Sequence, residues 1–518
     1  MSQIRKQSII STGFVYAGFA IGFINTYLFT RAGSLFTPSE YGLTNTFVVV
    51  GNLMFAFANL GTLTAVSKFY PYYQDNLEKK QNDLLTWAFI VNLVGLLFIV
   101  IAGIVFKDLV VRKFGEHSPQ FVKYYFWIFP FGFSITIYSL LEVFAWNIHK
   151  SIVTNFLREV LFRVLTSVLV FLFSFKLINS FDGFIKLYSF TYFILATALG
   201  IYLASKKEVH FTLNFSRVTR KFYKKILSLA GLIYMYGIVL MIAQFIDSII
   251  IMSLKGMEAL GIFSLGSVVS GLVQAPQRGA VAASTAALSR AWKDKDHDRI
   301  NRIYQRSGIN LLIASLGIFL LIWLNFEDAV ITFHLKPQYL TSEWVFFFLG
   351  LARVIDLGTG VNSQIISTSN YWRFELTSGV VLLAISTPLN YILVKKFGIV
   401  GAGYSAVVAF SIYNTMRIIF LKRKFNMQPF SVKTILALVT AMCSYVLCWY
   451  LVGGLHHFIG MVVKSITFLL LYAGGVIYLN LSPDVLPVLK VIRRRMKAIS
   501  RIFHRQESDG NNKDHRGY

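Results

Sequence analysis

Residues 228–273 read SLAGLIYMYGIVLMIAQFIDSIIIMSLKGMEALGIFSLGSVVSGLV. The stretch holds most of one apolar run, residues 226–253, and the start of a second, residues 259–287, with Lys255 and Gly256 between them. Each run has at least the ~20 residues that an α-helix needs to cross ~30 Å of hydrocarbon. The stretch therefore predicts two membrane-spanning helices joined by a short loop.

The same pattern recurs along the whole chain. Of its 518 residues, 55% are hydrophobic and only 14% are charged, a balance that would cover a soluble fold with apolar surface. Apolar length and breaker residues predict an all-α polytopic membrane protein with about fourteen spans. They lie at 9–30, 42–66, 84–106, 121–146, 152–174, 183–204, 226–253, 259–287, 308–332, 343–368, 375–394, 400–420, 432–453 and 458–480.

The distribution of basic residues predicts the orientation in the membrane. The net charge is +26, yet Lys and Arg concentrate in short connections and in the C-terminal tail, which argues against nucleic acid as a partner. Most of them fall on the side of the two termini, above all in residues 206–225 and 290–306, so both termini are predicted to be cytoplasmic. The tail around Arg493 predicts a basic amphipathic helix on the cytoplasmic leaflet.

A short internal similarity predicts a duplicated architecture. Residues 40–43 (EYGL) align with residues 259–262 (ALGI), which places the start of the second span over the start of the eighth. This fits two MATE-like six-helix lobes in parallel orientation, followed by two extra helices. The predicted parts are an N-terminal lobe (1–204), a basic cytoplasmic linker (205–225), a C-terminal lobe (226–421), two additional transmembrane helices (432–481) and a basic cytoplasmic tail (482–518).

Polar side chains at helical spacing mark candidate cavity faces. Polar groups in hydrocarbon cost several kcal/mol unless they face protein or water. Interhelical hydrogen bonding without any ligand is the competing interpretation of each stripe. Arg353 and Asp356 are three residues apart, and the favoured interpretation is that they form an ion pair and neutralise each other. The candidate cavity residues are Asn45, Asn52, Asn59, Asp247, Gln274, Gln277, Arg278, Arg353, Asp356 and Arg31.

Arg278 is the candidate anion ligand. It is predicted to be buried, and no acidic residue lies three or four positions away on its own helix, which Pro276 is predicted to kink. A guanidinium suits phosphate oxygens because it donates two parallel hydrogen bonds. Arg31, at the end of the first span, is predicted to snorkel to the interface or to contribute to an outward cationic mouth.

Four charged residues of the fourth and fifth spans, Glu142, Arg158, Glu159 and Arg163, are predicted to form local ion pairs. The sequence contains no GxxxxGK[ST] phosphate loop and no His/Cys cluster with metal-ligand spacing, so neither ATP nor a metal cofactor is expected. A membrane glycosyltransferase or polymerase would need a large outward loop, so we expect no enzyme. Coupling to Na⁺ or H⁺ remains open.

Three stretches carry a resemblance to a known family. They are residues 228–273, with Asp247 and the step Gly261-Ile262-Phe263, residues 388–403, and residues 39–42 (SEYG). In these stretches the sequence resembles the polysaccharide (O-antigen, Wzx-type) flippases of the multidrug/oligosaccharidyl-lipid/polysaccharide exporter (MOP) superfamily. The resemblance covers nearly the whole chain, although its motifs specify the superfamily better than the substrate.

The resemblance implies alternating access by two six-helix lobes. The implied cargo is a polyprenyl-diphosphate-linked oligosaccharide, moved across the bacterial inner membrane for assembly of lipopolysaccharide or other surface polysaccharide, with cationic cavity residues such as Arg278 holding the diphosphate. Implied partners are membrane lipids, a polysaccharide polymerase and other glycan assembly proteins. A cation-coupled multidrug antiporter, a peptidoglycan-precursor flippase and a structural scaffold for glycan assembly are the alternatives.

Overall fold

The computed structural model describes residues 3–484, and the predicted basic helix around Arg493 lies outside them. Within the described residues every regular element is helical, and an isolated antiparallel bridge pairs Arg31 with Leu335. The predicted all-α fold class is therefore confirmed.

Eleven α-helices precede residue 206. They are α1 (Gln3–Thr30), α2 (Pro38–Ala58), α3 (Thr62–Asn76), α4 (Leu84–Val105), α5 (Lys107–Phe114), α6 (Pro119–Lys123), α7 (Ile128–Asn147), α8 (Ser151–Asn155), α9 (Phe162–Ser174), α10 (Phe181–Tyr188) and α11 (Thr191–Ser205). Short 3₁₀ turns occur at Lys79–Gln81 and Tyr125–Trp127, and a π turn at Phe156–Leu161 joins α8 to α9.

Nine more α-helices follow up to residue 484. They are α12 (Arg217–Val273), α13 (Ala275–Lys293), α14 (His297–Thr332), α15 (Ser342–Gly358), α16 (Asn362–Ser367), α17 (Trp372–Phe397), α18 (Ile399–Phe425), α19 (Val432–Val452) and α20 (His457–Tyr478). A 3₁₀ turn at Pro337–Thr341 precedes α15. Gly256, at φ 86°, divides α12 into two helical parts.

Capping contacts fix where α2 and α12 begin. At α2, Thr37 and Glu40 form a reciprocal capping box, and Pro38 occupies the first turn, where it loses no helical hydrogen bond. Near the start of α12, the fully buried carboxylate of Asp83 accepts hydrogen bonds from the Ser216 amide at 2.9 Å and the Thr219 hydroxyl at 2.7 Å. A carboxylate there complements the positive end of the helix dipole.

Eleven helices in the described part of the chain are long and apolar enough to cross a membrane. The predicted spans 152–174, 259–287 and 343–368 instead correspond to interrupted helices. The π turn interrupts the first, Gln274 separates α12 from α13 in the second, and Gly360 separates α15 from α16 in the third. Charged or backbone-breaking residues lie at each interruption, as is common where backbone is re-routed inside membrane proteins.

The chain divides into two compact units. One comprises the described residues up to Val269 with Phe333–Leu349 and Leu376–Ala409, and the other comprises Ser270–Thr332, Gly350–Glu375 and the described residues from Phe410 onward. The first unit has a core rich in aromatic and leucine side chains from α3, α7 and α11. The core of the second gathers side chains of α13, α14, α16 and α18. The predicted lobe boundaries at 204 and 226 stay a prediction.

In the second unit, α19 and α20 pack on α14. The Tyr472 hydroxyl donates to the Ile313 carbonyl at 2.9 Å, and the Tyr472 ring lies against Gly317. The ammonium of Lys464 lies 2.6 Å from a carboxylate oxygen of Asp328, and each residue is 5% exposed. Because a buried charge is tolerated only with a partner, this pair fixes α20 on α14.

Candidate functional site

The backbones of α2 and α12 touch at two glycines. A Cβ atom on Gly42 would lie 2.1 Å from the Met257 carbonyl oxygen, and one on Gly261 would lie 2.0 Å from the Pro38 carbonyl oxygen. Only glycine permits so close an approach. These two glycines occupy equivalent positions in the internal alignment of residues 40–43 with 259–262, so the repeated element packs against its own counterpart.

The contact between α2 and α12 continues to the other end of α2. The Tyr234 hydroxyl donates to the Phe57 carbonyl at 2.7 Å, and a Cβ on Gly61 would lie 2.5 Å from the Ala230 carbonyl oxygen. Residue numbers rise along α2 as they fall along α12, so the two helices are antiparallel. We call this contact of residues 42–61 with residues 230–261 the seam.

A loop contact closes one end of the seam. Next to the bridge between Arg31 and Leu335, the Ala32 amide donates to His334 and the Lys336 amide donates to Thr30, while the Lys336 ammonium donates to the Phe36 carbonyl. Burial lowers the pKa of the Lys336 ammonium, and the nearby Glu40 carboxylate opposes that shift.

Arg31 lies half-buried within this loop contact. Its Nε is buried and has no hydrogen-bond acceptor among the residues that the structure describes. The main chain of Arg31 is held in the bridge to Leu335, so its position does not depend on the guanidinium.

The asparagine stripe of α2 is half-buried and bonded to its own helix. The Asn45 and Asn52 amide nitrogens donate to Tyr41 at 3.0 Å and to Val48 at 2.7 Å. Asn59 differs, because it ends α2 and its Oδ1 accepts the Gly61 amide at 2.9 Å. Asn59 therefore shapes the turn between α2 and α3, whereas Asn45 and Asn52 share one face.

Arg278 is exposed on α13, so the expectation that it is buried was wrong. The helix is interrupted at Gln274 and restarts at Ala275, and side chains before and after the interruption no longer share one continuous stripe. Gln274 and Gln277 are half-buried and joined by a hydrogen bond of 2.8 Å between their amides.

The expected ion pair between Arg353 and Asp356 is wrong. Among the described residues no salt bridge joins them: the Arg353 guanidinium lies 5.5 Å from the centre of the Phe410 ring, and Asp356 accepts the Asn414 amide at 3.1 Å. Phe410 and Asn414 are one turn apart on α18, so that helix offers each side chain its own partner. Cation–π contact and a hydrogen bond replace the local pair.

Asp356 belongs to a buried polar network that the sequence analysis missed. Arg417 and Glu375, 3% and 7% exposed, form an ion pair, and Arg417 also donates to Asn362 at 3.4 Å. Asn362 in turn donates to Asn414 at 3.0 Å. Arg417 and Glu375 are 42 positions apart and lie on different helices, so no periodic pattern links them. A charged residue inside the twelfth predicted span was the available signal.

Two stretches that carry the family resemblance meet in the first unit. The amide nitrogen of the fully buried Asn390 on α17 donates to a carboxylate oxygen of Asp247, which is half-buried on α12. A hydrogen bond between two helices thus explains why an aspartate stands at 247 and an asparagine at 390.

Two ion pairs lie in the helices around the π turn. Arg158 pairs with Glu142 and Arg163 pairs with Glu159, each at 2.7 Å, which confirms the predicted local pairs. The Asn25 amide nitrogen donates to the Arg163 carbonyl at 2.8 Å and joins α1 to this region.

We compared the chain with known protein families and with solved structures. Residues 233–392 match the family model MatE, and no curated protein matches the chain. A structure titled "Lipid II flippase MurJ, inward closed conformation" superposes with a TM-score of 0.67 at 14% identity, covering 91% of this chain and 99% of that one. An inward-facing multidrug resistance MATE family transporter of the MOP superfamily superposes at 0.63 with 15% identity, covering 81% and 98%. The chain has the fold that these MOP-superfamily transporters share.

Proposed function

We propose that this chain, which has the fold of MOP-superfamily transporters, is a flippase for a polyprenyl-diphosphate-linked oligosaccharide in the bacterial inner membrane. The observation that carries the proposal is the pair of C-terminal helices locked to α14 by Lys464 and Asp328. The likeness to the MurJ structure covers a tenth more of the chain than the likeness to the MATE transporter, and a tenth is about the length of α19 and α20 together. Both helices expose long apolar side chains that suit a lipid-borne substrate.

The proposed mechanism is alternating access. The seam contacts of Gly42 and Gly261 are backbone contacts with no side chains to disentangle, so the helices there can separate without repacking a core. Arg278, exposed on α13, would hold phosphate oxygens, with Gln274 and Gln277 beside it. Asn45 and Asn52 would present amide oxygens to sugar hydroxyls.

The remaining aspects of the proposal follow from the same reasoning. Both termini would be cytoplasmic because the basic connections lie on their side. The product would be used in assembly of surface polysaccharide such as lipopolysaccharide, with a polysaccharide polymerase as a partner. Na⁺ or H⁺ would supply the coupling.

The test is leaflet exchange of a fluorescent lipid-linked oligosaccharide in liposomes that contain only this protein. We expect exchange in these vesicles and no uptake of a cationic dye. Arg278→Ala is expected to reduce exchange at least tenfold, because a lost charge-assisted bidentate contact weakens binding by about 1.5–3 kcal/mol. Arg302→Ala, which removes an exposed arginine on α14, is the matched control for loss of one positive charge. Absence of exchange by the native protein would reject the proposal, and full exchange by Arg278→Ala would remove that residue from it.

A cation-coupled antiporter is the second candidate, favoured by the acidic Asp247 and the likeness to MATE transporters. Dye uptake driven by a sodium or proton gradient in the same vesicles, without glycolipid exchange, would establish it. Exchange of a peptidoglycan precursor in place of the oligosaccharide carrier would point to the third alternative.

A further inference from the structure

The pair formed by Glu142 and Arg158 is asymmetric in exposure. Glu142, on α7, is 2% exposed, whereas the Arg158 side chain, in the π turn, is 43% exposed. One Glu142 oxygen accepts the Arg158 guanidinium at 2.7 Å. The other, Oε1, is buried and has no hydrogen-bond donor among the described residues. The carboxylate is thus closed off from solvent and half-satisfied, while its counterion reaches the surface.

The groups around this pair leave Arg158 as the counterion of Glu142. Among the cations that the structure describes, Arg158 is the one within ion-pair distance of Glu142. The Tyr138 hydroxyl is committed to the Thr154 carbonyl at 2.8 Å. The charged and titratable groups that act on the pair from α7, the π turn and α11 are Tyr138, Glu159 and Tyr192.

The neighbouring ion pair, Arg163 with Glu159, has an arginine that is fully engaged by its surroundings, in contrast to Arg158. The Arg163 guanidinium donates to both the backbone and the side chain of Glu159. It lies against Gly18 and Gly22 of α1, where a Cβ on either glycine would come within 2.9 Å of guanidinium atoms. Arg163 is therefore held between helices by contacts that a ligand would have to break.

Arg158 has the opposite character. A guanidinium has five donors in a planar fork, and among the described residues one hydrogen bond, to Glu142, occupies one side of it. The π turn displaces the residues it contains from regular helical register, and such turns are frequent at functional sites. Removal of the guanidinium would leave a buried carboxylate without a counterion, and burial favours the neutral form of such a group.

We infer that Arg158 is a phosphate-binding residue, and that its transfer from Glu142 to a diphosphate makes Glu142 take up a proton, so that substrate binding and proton uptake are coupled. The guanidinium leaves the Glu142 carboxylate and donates two hydrogen bonds to phosphate oxygens. A proton from water then binds Glu142, which becomes neutral. On release of the diphosphate, Glu142 returns the proton to water and binds Arg158 again. This inference rests on the proposed function, because it names the coupling ion and a binding residue for that substrate.

The test uses the purified full chain in detergent, with farnesyl diphosphate as the probe. Calorimetric titration in two buffers of different ionisation enthalpy gives the affinity and the number of protons exchanged on binding. We expect uptake of about one proton per bound diphosphate. For Glu142→Gln, we expect binding to persist and proton uptake to fall by about one proton. The difference in uptake between the native protein and this variant cancels any proton change on the probe itself. Glu159→Gln, in the same π turn and also paired with an arginine, is the matched control that keeps native uptake.

Several results would overturn the inference. Equal proton uptake by the native protein and Glu142→Gln would place the proton elsewhere, and binding without uptake by the native protein would remove the coupling. Native affinity in Arg158→Ala, or no binding of the probe by the native protein, would remove the phosphate site. Glycolipid exchange in liposomes is scored separately, so exchange with unchanged proton uptake rejects this inference and leaves the proposed function standing. The two-buffer measurement on the native protein requires no variant to fold.

Discussion

Alanine at Gly42 or Gly261 is expected to force one end of the seam apart. The added Cβ would lie 2.1 Å or 2.0 Å from a carbonyl oxygen of the facing helix, whereas ordinary van der Waals contact begins at about 3.4 Å. The backbones must therefore separate by about 1.3 Å. Overpacking of this kind costs about 1–3 kcal/mol. The population with this end closed should fall by a factor of about 5 to 150 relative to the open arrangement.

The assay is disulfide formation between cysteines placed at Thr46 and Met257 in a background without native cysteines. The Thr46 hydroxyl lies 3.4 Å from the Met257 sulfur, so a cross-link reports closure of this end. Gly42→Ala and Gly261→Ala should each slow cross-linking by up to the factor given above, which is reached when the open arrangement predominates. Gly237→Ala, on the same helix with no atom within 4 Å of the new Cβ, should leave the rate unchanged.

A second cysteine pair, at Phe57 and Tyr234, reports the other end of the seam and should cross-link at the native rate or faster in the two variants. Cross-linking of Gly42→Ala and Gly261→Ala at the rate of Gly237→Ala would refute the reasoning, because the backbone contact would then impose no constraint.

Three further predictions concern stability, measured as thermal unfolding in detergent. Lys464→Met leaves the buried Asp328 with only the exposed His456 imidazole, 3.4 Å away, as an ion-pair partner, and should destabilise the protein by up to about 5 kcal/mol. Most of the loss should be recovered when Asp328→Leu is added, whereas an unchanged melting temperature of Lys464→Met would contradict this. Gly360→Ala places a side chain at φ 69° and 2.8 Å from the Gly308 nitrogen and should cost about 1–3 kcal/mol, and a stabilised variant would be the contrary result. Burial raises the pKa of Tyr73 from 10 to about 12, so the native protein should lose stability as pH rises through that interval because the unfolded chain releases this proton first. Tyr73→Phe should lose less stability over the same pH interval. An equal loss in the variant would assign the pH dependence to other groups.

The sequence predicted the spans well where apolar length alone decides them. The predicted spans 84–106, 432–453 and 458–480 correspond to α4, α19 and α20, because an uninterrupted apolar run of that length has few other stable forms. The predicted span 42–66, by contrast, runs past the end of α2 at Ala58 and across the turn at Gly61 into α3. The interrupted helices were harder. A hydropathy window averages over Gly360 or a π turn, whereas the backbone responds to a single residue.

The candidate site was predictable only in part. The glycines at 42 and 261 emerged from the internal repeat, although the alignment did not show that they touch. The partner of Arg353 was missed because local spacing favoured Asp356, while Phe410 approaches from another helix. Arg417 and Glu375 were missed for the same reason, since a pairing between separate helices leaves no periodic mark in the sequence.

The antiparallel seam has a mechanical consequence. From Gly42 to Phe57 it runs about 22 Å at 1.5 Å per residue, with a backbone contact near one end and a tyrosine hydrogen bond at the other. Because Gly61 and Ala230 already bring the two backbones into contact at the tyrosine end, a rigid rotation that parts the glycines must pivot near that end. A tilt of about 10° over the full length of about 22 Å would part the glycines by about 4 Å while the tyrosine end stays shut.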